Sequence, residues 1–276
     1  MAVKQLSTSW ALVRASHPLP AVAVSAVATG LALGSDRGPA SAACAIAAVL
    51  AGQLSVGWLN DLVDAPRDAR VGRTDKPLAA GEIRPAAVRA AFIASALAAV
   101  VLSLFSAPLA AAAHLAALAC AWAYDLGVKA TAFSVVPFAI AFGLLPAFLS
   151  NGDPFPPPWL IAAAATLGSA AHFVNVLPDL ADDAATGVRG LPHRLGPLPS
   201  RLATAALVLT TSLLLVLGPD GPPSPLALGT VPLAVTILVT GFMLDNRPRS
   251  RAAFRAVMLV ALIDVALLLH TGISAA

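Results

Sequence analysis

Nine apolar runs decide what this chain can fold into. They lie at roughly 18–34, 39–60, 85–107, 108–124, 131–150, 158–178, 200–218, 226–244 and 252–272, and a helix needs about 20 mostly apolar residues to cross a bilayer. Turn clusters separate most of them, among them Gly34-Ser35-Asp36-Arg37-Gly38-Pro39 and Asn151-Gly152-Asp153-Pro154. The third and fourth runs touch at Ser106-Ala107-Pro108. Composition agrees, since 58% of the 276 residues are hydrophobic and 11% are charged, against about 25% charged in a soluble domain. A water-soluble enzyme, a disordered tail and a nucleic-acid-binding domain are excluded. Cys44 and Cys120 lie far apart inside apolar runs, which fits packing better than a disulfide or a zinc site. The first run lacks a small-residue cleavage pattern, so no cleavable signal peptide is expected. The expected fold is all-α, a single-domain polytopic membrane protein with nine transmembrane helices.

Charge placement tests that count. With nine spans, the N-terminus and the 2–3, 4–5, 6–7 and 8–9 connections share one side. They hold Lys4 and Arg14; Arg67, Arg70, Arg73, Lys76, Arg84 and Arg89; Lys129; Arg189, Arg194 and Arg201; and Arg247, Arg249, Arg251 and Arg255. That is sixteen of the seventeen basic residues, with Arg37 alone opposite. The positive-inside rule makes that side, and the N-terminus, cytoplasmic. Ten of the fourteen acids fall there too. Asp36, Asp153 and Asp220 on the other side sit in turn contexts, where caps and solvation explain them.

Those acids recur in a pattern. Shifted by 115 residues, Asn60, Leu62, Asp64, Asp68, Ala69 and Gly72 fall on Asn175, Leu177, Asp179, Asp183, Ala184 and Gly187, six identities in thirteen positions. This reads as an internal repeat, each copy ending an even-numbered span on the same membrane face. Residues four apart share a helix face, so Asn60 and Asp64 point one way, as do Asn175 and Asp179. Pro66 and Pro178 disturb the helix nearby, which predicts Asp68 and Asp183 on unwinding ends. Six acids, with Asp61 and Asp182 included, would repel one another at the negative ends of two helix dipoles. A hard cation resolves this, and oxygen-only ligands suit Mg²⁺ or Mn²⁺ held through carboxylates plus substrate phosphates. The alternative is a set of ordinary solvated loop charges, and Asp182, whose counterpart is Arg67, fits that alternative equally well.

Basic residues interleave with the acids. Arg67 lies inside the first copy, Arg73 and Lys76 follow it, and Arg189 and Arg194 follow the second. They read either as topological anchors or as ligands for diphosphate oxygens, which arginine holds bidentately. Tyr124, the single tyrosine, and Lys129, the single base of its connection, end the fourth run on the same face. Elsewhere His172 is a candidate base or a packed histidine. Phe133, Phe138 and Phe142 are candidates to face a cation or to pack, and Asp264 is a buried acid that is either functional or paired with a neighbouring helix.

At these residues the chain resembles the intramembrane prenyltransferases of the UbiA superfamily. Its signature N-D-x-x-D-x-x-x-D is met by Asn60, Asp61, Asp64 and Asp68, and the second, D-x-x-x-D, by Asp179 and Asp183. Tyr124 and Lys129 match a Y-x-x-x-x-K-like element. Asp75-Lys76-Pro77-Leu78-Ala79-Ala80-Gly81 is similar to an R-P-L-x-x-G stretch, with lysine for arginine, and Leu191-Pro192-His193-Arg194-Leu195-Gly196 to the segment after the second motif. The resemblance implies nine helices around a central cavity open to lipid. It further implies an Mg²⁺-dependent reaction of an isoprenyl diphosphate with a lipophilic or aromatic acceptor. Asn60, Asp61, Asp64, Asp68, Asp179 and Asp183 are then metal ligands, with Asp64, Asp68, Asp179 and Asp183 catalytic. Arg67, Arg73, Lys76, Tyr124, Lys129, Asn175 and His172 become substrate-binding residues. The expected setting is a bacterial cell membrane with the site on its cytoplasmic side. Two other functions stand open, a terpene cyclase of the same fold needing no acceptor and a transporter. Transporter sites lie at the midplane in broken helices, whereas both acidic segments end helices on one face.

Overall fold

The computed structural model describes residues 2–152, 155–245 and 250–271, and every regular element among them is helical. Twelve α-helices follow in order: α1 (Ala2–Ala15), α2 (Pro18–Leu33), α3 (Pro39–Arg70), α4 (Pro85–Ser103), α5 (Pro108–Leu126), α6 (Val136–Leu149), α7 (Pro158–Val176), α8 (Leu180–Ala185), α9 (Leu191–Leu195), α10 (Pro197–Leu217), α11 (Pro225–Leu244) and α12 (Ala252–Thr271). Proline is the first residue of α2, α3, α4, α5, α7, α10 and α11. The first helical N–H has no intrahelical acceptor and proline's fixed φ already suits a helix, so proline starts helices here without cost. The prolines that punctuate the sequence are therefore helix starts. Asp153, Arg247 and Arg249 lie outside the described residues, as do the side chains of Lys4 and Asp182.

Each apolar run becomes a helix, and two of these helices, α2 and α6, are short for a span taken by themselves. Seven helices have the length and hydropathy to cross a membrane, and α1 with α2 gives an eighth if their 63° bend lies within one span. Nine were expected. The difference lies at α2 and α6. The fourteen residues of α6 extend about 21 Å at 1.5 Å per residue, short of the roughly 30 Å hydrocarbon core. One correction concerns Pro66. It lies inside α3, which continues to Arg70, so Asp68 is helical and not on an unwound end.

The helices close a ring. α3 packs on α2 and α4, α5 on α6, α6 on α7, α7 on α10, α10 on α11, and α11 on α12, which returns to α2. Small residues allow the close approach that membrane helices use in place of a hydrophobic driving force. Ala28, Ala45, Ala48, Ala110 and Ala170 are fully buried in the core. A Cβ at Gly168 would stand 2.5 Å from Phe142 Cβ, so α7 lies against α6 at backbone distance. Outward-facing Leu97, Phe105, Leu126, Leu202, Met243 and Leu244 are 61–73% exposed, a lipid-facing surface.

The two ends of the ring differ in kind. At one, Arg37 donates to the carbonyls of Phe148 and Leu149 (2.5 and 2.9 Å) and to the hydroxyls of Ser41 and Ser106 (2.9 and 3.2 Å). It thereby satisfies the unpaired carbonyls at the C-terminus of α6 and ties three connections together. The isolated base on that side is thus a structural clasp. The other end holds most of the remaining charge.

Candidate active site

The charged end opens into a cavity of about 1550 Å³, its mouth included, lined from α2, α3, α5, α6, α7 and α12 and from the connections that join them. Asn60, Asp64 and Asp68 of α3 line it one turn apart, as their four-residue spacing requires. Asn175 comes from the last turn of α7. There Pro178 tightens the chain into a 3₁₀ turn at Leu177–Asp179, after which α8 carries Asp183. Asp179 and Asp183 reach the same cavity from the opposite wall.

Cations knit the two copies together. Arg67 stands 3.0 Å from Asp64, 3.9 Å from Asp68 and 3.4 Å from Asp183, so one guanidinium touches both motifs. Arg73 reaches Asp179 at 3.2 Å and grips Asp75 with two hydrogen bonds of 2.8 Å. That grip holds the Asp75 carboxyl down at about 2 and raises Arg73 in turn. Lys129, in a 3₁₀ turn after α5, donates to Asp64 at 2.5 Å. His193 comes within 3.4 Å of Asp183. Among the described residues no three His, Cys, Asp or Glu side chains converge closely enough to hold an ion by themselves.

Beyond the charges the cavity turns apolar. Val24, Phe138, Phe142, Phe254 and Met258 line it. Tyr124 stands edge-on to Phe138 and to His172, with ring centroids 5.0 and 5.6 Å apart. His172 is buried and meets the Ser134 hydroxyl through Nε2 at 3.0 Å.

A sequence model described as the UbiA prenyltransferase family matches residues 21–263. The chain belongs to that family. Solved UbiA structures share the fold. The UbiA homolog from Archaeoglobus fulgidus bound to DMAPP and Mg²⁺ superposes with TM-score 0.72 at 18% identity, covering 96% of this chain and 99% of that one. The apo UbiA homolog from Aeropyrum pernix K1 gives 0.74 at 19% identity, covering 91% and 97%. A digeranylgeranylglyceryl phosphate synthase gives 0.65 at 16%, covering 96% and 98%. No curated protein matches the chain by sequence.

Within this UbiA fold the sequence-derived residues divide. Asn60, Asp64, Arg67, Asp68, Arg73, Lys76, Tyr124, Lys129, His172, Asn175, Asp179 and Asp183 all line the one cavity. Asp61 does not. One residue on from Asn60 it is turned about 100° around the helix, buried at 1% exposure, 3.4 Å from Lys76 Nζ and 3.9 Å from His17 Nε2. Phe133, 71% exposed, points away, and Asp264 accepts from Ser212 of α10 at 3.1 and 3.2 Å, a helix–helix pairing outside the cavity. Arg194 hydrogen-bonds the Arg189 carbonyl at 3.0 Å, and neither lines the cavity.

Sequence reasoning missed several lining residues, four of which bear on the geometry. Asp125 accepts from Asn60 Nδ2 at 2.9 Å, and its signal was present as an acid closing an apolar run beside the only tyrosine. Arg251 was counted only as a topological charge, and Gln53 was overlooked inside an apolar run. His17 has φ 54, left-handed for a non-glycine, at the bend between α1 and α2. That bend seats on Gly57, where a Cβ would collide with the Ser16 carbonyl.

Proposed function

We propose that this chain transfers an isoprenyl group from an isoprenyl diphosphate to a lipophilic or aromatic acceptor, releasing diphosphate, with Mg²⁺ (or Mn²⁺) as cofactor. The observation that carries this is a single cavity with two carboxylate segments and five cations at its charged end and an aromatic and aliphatic interior behind them. The A. fulgidus homolog bound to DMAPP and Mg²⁺ and its complex with GPP and Mg²⁺ support the substrate class.

The donor set fits the metal. Asn60, Asp64, Asp68, Asp179 and Asp183 offer hard oxygen ligands only, and magnesium completes its shell with water and substrate phosphates in place of an all-protein cage. When bound, Mg²⁺ would neutralise the diphosphate and stabilise the charge it gathers on departure. The residues of the chain do the rest. Arg67, Arg73, Lys76 and Lys129 place four positive charges where the leaving oxygen develops its negative one. The C1–O bond breaks with its electron pair passing to diphosphate. The nucleophilic atom of the acceptor supplies the pair for the new bond to C1 and gives up its proton to the departing diphosphate. Tyr124, Phe138 and Phe142 present π-faces that tolerate an allylic cation and, with Val24 and Met258, keep water from trapping it. The site lies on the cytoplasmic face in this reading, as the clustering of bases at that end requires. We assign all nine apolar helices to the membrane, α2 and α6 spanning with the help of flanking turns.

Purified protein incubated with C10 to C20 isoprenyl diphosphates and Mg²⁺, with and without a membrane lipid extract, tests this. Prenylated product that appears only with the extract supports transfer. A cyclised hydrocarbon or alcohol from the diphosphate alone makes the chain a terpene cyclase, and no consumption of diphosphate overturns both. A metal located at the bilayer midplane would favour a transporter instead.

A further inference from the structure

Asn60 differs from the carboxylates around it in having two unlike ends. A side-chain amide offers one acceptor oxygen and an NH₂ that only donates, and a hard cation binds only the oxygen. Left to itself the amide could present either end to the cavity, and an NH₂ facing a cation would repel it. Something must set the rotation.

The neighbour across the cavity wall does so. Asp125, in the last turn of α5, is 2% exposed and accepts from Asn60 Nδ2 at 2.9 Å. In the structure the NH₂ of Asn60 faces Asp125, the arrangement an ionised carboxylate, which has no proton to give, calls for. Oδ1 is then turned to the other side. Among the described residues Asn60 is the sole hydrogen-bond partner of the Asp125 side chain, whose second oxygen has none. Asp125 therefore does not serve as a general anchor between helices. Its one directed interaction is with this amide.

We infer that Asp125 is a positioning residue that fixes Asn60 with its carbonyl oxygen toward the bound metal. This rests on the metal reading proposed above and adds to it a residue outside both aspartate motifs. The role explains why an acid is buried beside a cluster already rich in acids, where further negative charge is otherwise unfavourable.

Equilibrium binding of Mn²⁺ to purified full-length protein, followed by the electron paramagnetic resonance signal of the free ion, reads the effect without turnover. Asp125→Asn keeps the shape but can offer its own NH₂, which lets Asn60 turn its oxygen away. Affinity should fall about 10- to 100-fold, the usual cost of losing a partner that orients a ligand. In an Asn60→Ala background the same Asp125→Asn change should cost nothing more. The double variant Asn60→Asp/Asp125→Asn should recover most of the affinity, because the introduced amide donates to one carboxylate oxygen and leaves the other for the metal. Wild-type affinity in Asp125→Asn overturns the inference, as does an equal loss in both Asn60 backgrounds, which would make Asp125 merely structural. A wild-type protein that binds no Mn²⁺ would instead remove the metal reading itself, and the inference with it.

Discussion

The two aspartate segments share residues and spacing and yet hang on different backbone. The first runs along an unbroken α3, with Asp64 and Asp68 side chains only 8% and 6% exposed. The second breaks at Pro178 into a 3₁₀ turn and the six-residue α8, and Asp179 and Asp183 are 23% and 18% exposed. Proline occupies a different slot in each. Pro178 separates Asn175 from Asp179, whereas Pro66 separates Asp64 from Asp68. Local electrostatics favour the longer helix in the first case, since Arg67 and Arg70 occupy the last turn of α3 while α7 ends with no base, and cations belong at a helix C-terminus. Arg70 also donates to the Pro66 carbonyl at 3.2 Å. One copy is thus an unbroken rail and the other a jointed arm, bridged by Arg67.

The largest effects come from removing a carboxylate from either side. Asp64→Ala and Asp179→Ala should each abolish turnover at any Mg²⁺ concentration while leaving the protein folded. Metal stabilisation of a leaving group is worth several kcal/mol, and about 4 kcal/mol is a loss near 10³-fold. Near-wild-type rates in either variant would show that its segment is not part of the reaction. If only Asp179→Ala retained activity, the unbroken copy would be sufficient and the pairing of the two would lose its meaning.

Cations should follow in order of how many carboxylates they join. Arg67→Ala removes the one guanidinium that reaches both copies and should lower kcat/KM by about 10²-fold, the scale of losing one charge-stabilising donor. Arg67→Lys should recover little, because lysine lacks the planar fork. Among the described residues Lys129 forms an ion pair with Asp64 alone. Lys129→Ala should raise the diphosphate KM about tenfold with a smaller change in kcat, since a hydrogen bond to a charged group contributes about 1.5–3 kcal/mol. An unchanged KM would confine Lys129 to holding Asp64.

Much of this comparison was legible before any coordinates. The 115-residue repeat was visible because identity at fixed offset survives whatever the backbone does, and the helix starts were visible because proline marks them. What failed was rotation and reach. Asp61 belongs to the motif as written, but one residue is about 100° of helix, and that turns it to Lys76 and His17 and away from the cavity. Asp125 pairs with a residue 65 positions away, which no local pattern announces. Pro66 reads as a helix breaker because propensity is local, while the packing of α3 and its terminal arginines is not. The apolar run at 131–150 predicted a longer helix than Val136–Leu149, because hydropathy continues past the point where hydrogen bonding stops.

The smallest effect sharpens the contrast furthest. Pro66→Ala restores an amide that can donate to the Leu62 carbonyl within a helix that is already continuous, so geometry at Asp64 and Asp68 should not move. Activity should stay within twofold or so, and thermal unfolding in detergent should rise, by at most the roughly 3 kcal/mol that an interior proline costs. Pro178→Ala removes the constraint that ends α7. The chain can then carry α-helical hydrogen bonding through residues 177–180, which rotates Asp179 relative to Asn175 and pulls it from Arg73. A misplacement near 1 Å at a reacting centre costs up to about 10²-fold, so kcat should fall between the two limits while stability changes little. Equal responses to the two substitutions would mean that the joint in the second copy has no bearing on the chemistry. The unequal outcome, a stability gain at 66 and a rate loss at 178, is what a rail and an arm require.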